Sequence, residues 1–408
     1  MVGHRWESQD WEFQDKGPQE RNGNAEVDMT GKTPQFIDYS GSRAPDKHTH
    51  GDHSLDLWEP MIVPKEDIDA EIDRLASLAK PNNGVRRSRI VHPRSVNEKA
   101  HSWAPGVDVS LDVLLPGERT KAVRQNSGVV NFCIQGSGAM VQNGKSSGFG
   151  QYDVVTTPSM WVHEYVNDTD EIQVRLRYSN GALLERLNIH FIDENPPMHG
   201  ARDDDLTETA EEIAGDHASK YGAFELNEDG AWLMPYEGLV NPPAAKVVSH
   251  HWPWQDVKAE LDKYAAGLAQ DYEGRRLYLL YDPVTGRANG TTANFFATIT
   301  HRPAGISDRP HRHASAAMNY YFGGEGHSVV EGREYTWKSG DFMFSAPGWA
   351  IHAHTADVGP VYKLTIQDMP FCINNDCLLW QEDMTGPISL LGSHAGFETN
   401  REELSKAS

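Results

Sequence analysis

The sequence predicts a mainly β protein made of two tandem copies of one barrel or jelly roll, with helical segments before and between them. Three observations carry this. Short runs of β-branched and aromatic residues separated by glycine-containing turns dominate residues 103–195 and 275–370, as in Val129-Val130-Asn131-Phe132-Cys133-Ile134 and Asn319-Tyr320-Tyr321-Phe322. Many short strands with frequent turns mark barrels and jelly rolls rather than α/β units. The two regions also share a register: Gly136, Gly138 and Gly144 recur 188 residues later as Gly324, Gly326 and Gly332, and Asn131 and Asp153 as Asn319 and Asp341. After one extra residue the offset is 189, which brings Pro158 to Pro347 and His163 to His352. Finally, a chain of 408 residues corresponds to roughly two to three domains, enough for two such copies.

The elements follow in order. Residues 1–60 are polar, Gly-rich and without periodicity, and read as an extension with little core of its own. Pro64-Lys65-Glu66-Asp67 opens a helix in which Ile68, Ile72, Leu75 and Leu78 recur at helical spacing, with acidic residues in the first turn where the dipole favours them. Pro81-Asn82-Asn83-Gly84 ends it. Two more helical patterns, near 207–220 and 255–269, lie between the β-rich regions. Asn143-Gly144 and Glu331-Gly332 sit between strand-like runs, as hairpin turns demanding positive φ do. The expected domains are an N-terminal extension with one helix (1–100), a first barrel (101–195), a helical linker (196–272), a second barrel (273–370) and a C-terminal tail (371–408).

Composition narrows the function. With 37 Lys+Arg against 59 Asp+Glu, a net charge of −22 and a pI near 5.2, the chain has the wrong sign for gripping nucleic-acid backbones or an anionic membrane. Three cysteines (Cys133, Cys372, Cys377) fit a reducing compartment rather than a disulfide scaffold. The start MVGHRWESQDWEFQDKG has no apolar core of a secretory signal, and no run approaches the ~18 apolar residues of a membrane span. A cytoplasmic location is expected. The 19 His invite a search for metal ligands.

In the second copy the chain reads Pro310-His311-Arg312-His313. Strand side chains alternate, so His311 and His313 point the same way. Downstream, Gly340-Asp341 starts a strand that runs to Ala346-Pro347-Gly348-Trp349-Ala350-Ile351-His352-Ala353-His354, and the Pro-Gly turn returns His352 toward the first pair. An isolated HxH is more often two satisfied surface histidines, but a third His at this place points to a metal site. Imidazole suits iron, copper, nickel, zinc and manganese, so ligand type alone leaves the metal open.

These residues resemble the two motifs of the cupin superfamily. Gly305, five residues and His311-Arg312-His313 match G(x)5HxH, and Gly340 through Pro347 to His352 resembles G(x)5PxGxxH with one residue more before the proline. Ala317 stands where the first motif has a Glu, leaving three histidines. The fuller pattern resembles the gentisate 1,2-dioxygenase, salicylate 1,2-dioxygenase and 1-hydroxy-2-naphthoate dioxygenase family, including its bicupin layout and the segment at Trp58-Glu59-Pro60, over most of residues 55–370. The resemblance implies Fe(II) held by His311, His313 and His352, ring cleavage of the extradiol type, and a homo-oligomer (dimer or tetramer). Mn, Ni, Cu or Zn is expected only if the chemistry is different.

Two departures from the family pattern matter. The N-terminal copy usually carries the iron, but here Val123 and Gln125 occupy the HxH positions of Ala122-Val123-Arg124-Gln125-Asn126 and only His163 remains. The first barrel is therefore expected to lack a metal, with His163 a hydrogen-bonded core residue. Six residues beyond the second motif histidine the family has an arginine that pairs with a substrate carboxylate; here it is Asn319, and Asn131 in the first copy. Losing a bidentate donor is not conservative, so the substrate either lacks that carboxylate or meets another arginine, Arg309 or Arg302.

The leading expectation is an Fe(II)-dependent dioxygenase that inserts O2 into a gentisate- or salicylate-like compound, or a phenolic without the carboxylate. His354, Tyr321 and Asn319 are the catalytic candidates, His354 as a neutral imidazole that takes the hydroxyl proton or holds the oxygen intermediate. Trp349, Asn319 and Arg309 are the substrate-binding candidates, although filling the barrel wall is an equal use for Asn319, Tyr321 and Trp349. The alternatives are a redox-neutral metal-dependent lyase, isomerase or hydrolase, with His354 or Tyr321 as base, and a non-catalytic small-molecule-binding bicupin. His48, His50 and His53 make a weaker metal candidate. His250-His251 beside Trp252-Pro253-Trp254 reads as a linker turn. Phosphate loops and dinucleotide fingerprints are absent from the sequence.

Overall fold

The computed structural model describes residues 57–142, 144–196, 224–225, 231–234, 236, 249–267 and 274–392. The patterns at 207–220 and at His48, His50 and His53 lie outside the described residues. The two β-rich regions form antiparallel sheets with the same strand order. In the first, the sequence across the sheet is His251–Trp252, Val154–Thr157, Val129–Gln135, Gln173–Ser179, Asp108–Leu114 and Arg86–Ile90. In the second it is Met61–Val63, Phe342–Ala346, Ala317–Val330, His352–Gln367, Phe296–Arg302 and Arg276–Leu280, with Arg333–Lys338 paired beside Ala317–Val330.

The edge strands are exchanged. Met61–Val63, N-terminal to the first barrel, pairs with Phe342–Ala346 of the second, and His251–Trp252, which precedes the second barrel, pairs with Val154–Thr157 of the first. Each exchanged strand runs into a helix, Lys65–Ser77 or Trp254–Gly267. The repeated aspartates explain themselves here. Asp341 accepts from the Lys65 N–H at 2.8 Å and the Lys338 N–H at 2.8 Å. Asp153 accepts from the Trp254 N–H at 2.7 Å and the Gly150 N–H at 2.8 Å. Each carboxylate thus ties a turn of its own copy to the helix start beside the other copy's exchanged strand, where the dipole favours negative charge.

Strand alternation decides which face packs. On Val129–Gln135, Val130, Phe132 and Ile134 enter one apolar layer, and on Ala317–Val330, Met318, Tyr320 and Phe322 enter the same layer from the second barrel. The helices add Ile68, Ile72, Leu75, Val257 and Leu261. Leu78, expected on that helical face, is the C-cap and is exposed. The alternate residues, Asn131, Cys133, Asn319 and Tyr321, therefore point into the separate barrel interiors. Positive φ is found at Gly144 (80°), Glu331 (49°) and Gly332 (74°), as hairpin turns require. Gly136 and Gly324, at φ 70° and 72°, are also places where a Cβ would meet a carbonyl oxygen, at 2.2 and 2.7 Å.

Two expected boundaries shift. The 1–100 extension contains Arg86–Ile90, which pairs with Asp108–Leu114 inside the first sheet, besides the exchanged strand. A helix, Met369–Asn374, straddles the start of the 371–408 tail, which also contains a strand, Leu379–Gln381, that pairs with Arg312–His313 and with Ser389–Leu390. The physical reason is that a strand of only two residues at the HxH motif needs a backbone partner, and Leu378-Leu379-Trp380 supplies it with an apolar run.

Phe342 is buried in the shared layer against Trp103 (ring centroids 5.5 Å apart) and Tyr178 (6.1 Å). Phe342→Ala is expected to cost about 3–5 kcal/mol. Urea unfolding should show a lower midpoint and a single transition reported equally from both barrels.

Candidate metal centre

His311, His313 and His352 come together in the second barrel, their ligating nitrogens all within 4.8 Å of one another, and they are the one such group of metal-ligating side chains among the described residues. Backbone pairing sets the approach: His311 and His352 form a bridge in which each N–H donates to the other's carbonyl, at 3.0 and 2.9 Å. Each Nδ1 also faces a carbonyl: His311 that of Arg309 at 2.8 Å, His313 that of Ser315 at 3.0 Å, and His352 that of Ala350 at 2.9 Å. A carbonyl only accepts, so each ring proton sits on Nδ1 and each Nε2 lone pair is left for the centre. Burial, then the charge of His311, pushes the His313 pKa down to about 3. The same causes, with His313 added, hold His352 well below the ordinary range. Three convergent imidazoles fit a divalent transition metal.

His354, two residues beyond His352, is buried and turned to a different partner. Its Nδ1 meets Ser328 Oγ at 2.7 Å, and Trp337 Nε1 donates to the same oxygen at 2.9 Å. An indole can only donate, so Trp337 takes one lone pair of the Ser328 hydroxyl, and that hydroxyl links the indole to the His354 ring. Burial, followed by the Lys363 and His352 charges, holds the pKa of that ring well below the ordinary range.

The other expected site residues divide. Asn319 is fully buried and committed: its Nδ2 donates to Ser345 Oγ at 2.6 Å, and Thr365 Oγ1 donates to its Oδ1 at 2.7 Å. Tyr321 is fully buried with its ring stacked 3.8 Å from that of Trp337, and burial raises its hydroxyl pKa. Trp349, expected to contact substrate, instead carries the Arg312 guanidinium 4.5 Å from its ring centre. Alternation puts Arg312 on the face of its strand opposite the two imidazoles, so Trp349 belongs to that reverse face. Arg309 is exposed and meets the centre through its carbonyl. Arg302 is buried, donating to the His354 carbonyl at 2.7 Å and to Asp308.

Sequence reasoning missed Trp380. From the supposed tail its ring stacks on both His313 (5.2 Å, 22°) and His311 (5.8 Å, 26°). The run Cys377-Leu378-Leu379-Trp380 carried a strand signal, but nothing local in it names the partner.

The first barrel repeats the backbone of the centre without its donors. Val123 and His163 make the same reciprocal bridge, both bonds at 3.0 Å, and His163 Nδ1 faces the Trp161 carbonyl at 3.1 Å. Val123 thus stands in the place of His311. His163 is among the residues that line a cavity of about 410 Å³. Among the described residues no helix is long and apolar enough to cross a membrane.

No family model matches the chain. It is 27% identical to a gentisate 1,2-dioxygenase of Haloferax sp. over 334 residues, 78% of this chain and 86% of the relative. It is 23% identical to a 5-aminosalicylate 1,2-dioxygenase of Comamonas sp. over 318 residues, 77% and 79% of the two chains. The structure of a salicylate 1,2-dioxygenase from Pseudaminobacter salicylatoxidans superposes with a TM-score of 0.62 at 17% identity, covering 84% of this chain and 94% of that one. The fold is thereby that of two tandem cupin barrels.

Two measurements check this account. Metal analysis of the purified protein should find about one metal ion per chain, abolished by His311→Ala and unchanged by His163→Ala; two per chain would contradict the silent first barrel. The second concerns acid stability. Burial, with the charges of Arg177, Arg175 and Arg87, pushes the His163 pKa from 6.5 to about 4. The unfolded chain therefore binds more protons between those values, so this contribution is complete above pH 6.5 and is lost as pH falls toward 4. Urea midpoints at pH 7 and pH 4.5 should drop less in His163→Gln than in the wild type, by on the order of 2 kcal/mol.

Proposed function

We propose that this bicupin, a relative of the ring-cleaving dioxygenases, inserts O2 into a hydroxylated aromatic compound in its second barrel, with Fe(II) as its metal. The observation that carries the reading is the set of three Nε2 lone pairs, each aimed by a carbonyl behind its ring. When bound there, Fe(II) supplies the redox-active centre at which O2 and the substrate hydroxyl are brought together. Neutral ligands leave its charge uncompensated and suit an anionic phenolate. The bond broken is assigned to the ring position beside the hydroxyl-bearing carbon, the extradiol-type outcome, and both atoms of O2 enter the product.

The chain's own residues then have separate tasks. His354, a buried imidazole two residues beyond His352, takes the proton of the substrate hydroxyl or hydrogen-bonds to developing negative charge on oxygen. Ser328 and Trp337 hold its ring in place. Trp380 packs over two of the ligands and excludes water from them. Asn319 and Tyr321 shape the wall, since their polar and aromatic surfaces are already engaged.

The substrate favoured is a phenolic compound without a carboxylate at the position an arginine would serve. Asn319 has no charge to offer, and Arg302 is bound to Asp308 and the His354 carbonyl. In an oxygen-electrode screen, Fe(II)-reconstituted protein should consume O2 with phenols or phenolic acids. His311→Ala should abolish uptake. His354→Ala should keep its metal yet lose about 10²–10⁴-fold in kcat. Stoichiometric zinc or manganese with turnover and no O2 uptake would instead establish a redox-neutral reaction.

A further inference from the structure

We propose that Cys372 and Cys377 are a redox-active dithiol that a small non-protein disulfide oxidises to an intrachain disulfide, fastening the strand that seats Trp380. This inference does not rest on the reaction assigned to the second barrel. The helix Met369–Asn374 ends in a turn of defined geometry. The Cys377 N–H donates to the Cys372 carbonyl at 2.9 Å and the Asp376 N–H to the Ile373 carbonyl at 3.1 Å, with Asp376 at φ 49°. These are the paired bonds of a Schellman motif, which folds the residue two past the helix cap back over the last turn and sets the side chains at its two ends against each other. That contact is ordinarily apolar; here both of its members are cysteines, and both are free thiols. The Cys377 sulfur lies 3.5 Å from the Cys372 carbonyl oxygen. A disulfide needs Cα atoms about 4.4–6.8 Å apart, and the backbone bond between these two residues keeps them in that range.

Exposure orders the chemistry. Cys377 is exposed, whereas Cys372 is buried and packs with Met369 and Leu378. Burial, then the Asp368 carboxylate and the neighbouring Cys377 thiol, pushes the Cys372 pKa up. The Cys377 sulfur therefore meets the oxidant first, displacing one half of the small disulfide as a thiol and keeping the other half in a mixed disulfide. The Cys372 sulfur then attacks the Cys377 sulfur and expels that second half. Two electrons pass from the protein to the oxidant, and the hydrogens of two protein thiols leave on two small thiols. Cys133 is buried in the first barrel and takes no part. The bond forms at the foot of Leu379–Gln381, whose pairing with Arg312–His313 places Trp380 over His311 and His313. Trp380 also packs on the cluster that contains Cys372, so the crosslink holds both the strand and its tryptophan.

The test is incubation of the purified full-length protein with glutathione disulfide, followed by alkylation after denaturation, intact mass measurement and peptide mapping. The wild type should lose two hydrogens from the peptide that carries Cys372 and Cys377, keep one alkylatable thiol of its three, and regain the others in dithiothreitol. Amide hydrogen exchange across Leu379–Gln381 should slow severalfold on oxidation. Cys377→Ser, an exposed change that spares the fold, should lower the rate of thiol loss at least tenfold. Cys372→Ser, which removes the second attacking sulfur, should stop at a glutathione adduct on Cys377; if that variant does not fold, Cys377→Ser carries the comparison. A wild type that retains glutathione on Cys377, keeps three alkylatable thiols, links Cys377 to Cys133 or to another chain, or shows unchanged exchange across the strand would overturn the proposal. Failure of the oxygenase reading would leave these masses unchanged.

Discussion

The apolar layer shared by the two barrels is the constraint on which the rest of the molecule depends. Period-two alternation sends every second residue of the facing strands into it, through Val130, Phe132 and Ile134 from one side and Met318, Tyr320 and Phe322 from the other. What remains on those strands must point into the barrels. The interiors are thus left to polar side chains such as Asn131, Arg175, Asn319 and Lys363, all buried, which is where chemistry needs them. The core is placed between the repeats, and the sites are placed within them.

Strand exchange fastens the layer. Each copy receives its outer strand from the segment leading into the other, and one aspartate in each turn secures the helix that follows. The exchange makes the barrels mutually dependent, so neither half of the duplication closes its sheet from its own residues alone. It also permits the sites to diverge, since neither carboxylate touches a metal-ligating position. The result is one backbone arrangement with two donor sets: three imidazoles around one centre, and a valine, a glutamine and one histidine around a cavity rich in guanidinium groups.

Much of this was legible because it is local or repeated. The glycines at 136 and 324 require positive φ and close backbone approach, and a turn with that demand announces itself in any sequence. HxH on a strand and a histidine after a Pro-Gly turn likewise carry their geometry with them. The aspartates at 153 and 341 were visible as repeated residues, but their partners, the Trp254 and Lys65 amides, lie 101 and 276 positions away, and no local pattern reports that. Trp380 was lost for the same reason, because the strand that carries it is defined by pairing with Arg312–His313.

By itself, the sequence determined the duplication, the β class, the three candidate ligand histidines and the absence of two of them from the first copy, since each follows from residue type and spacing. Only the tertiary structure decided what each polar group is free to do. Asn319 and Trp349 have side chains suited to substrate, yet one is closed by Ser345 and Thr365 and the other lies beneath Arg312. Conversely, Arg175 and Gln125 appear unremarkable along the chain and prove to hold buried donors without acceptors. Hydrogen-bond capacity is exhausted or left over through neighbours distant in sequence, and that balance exists only once the chain has folded.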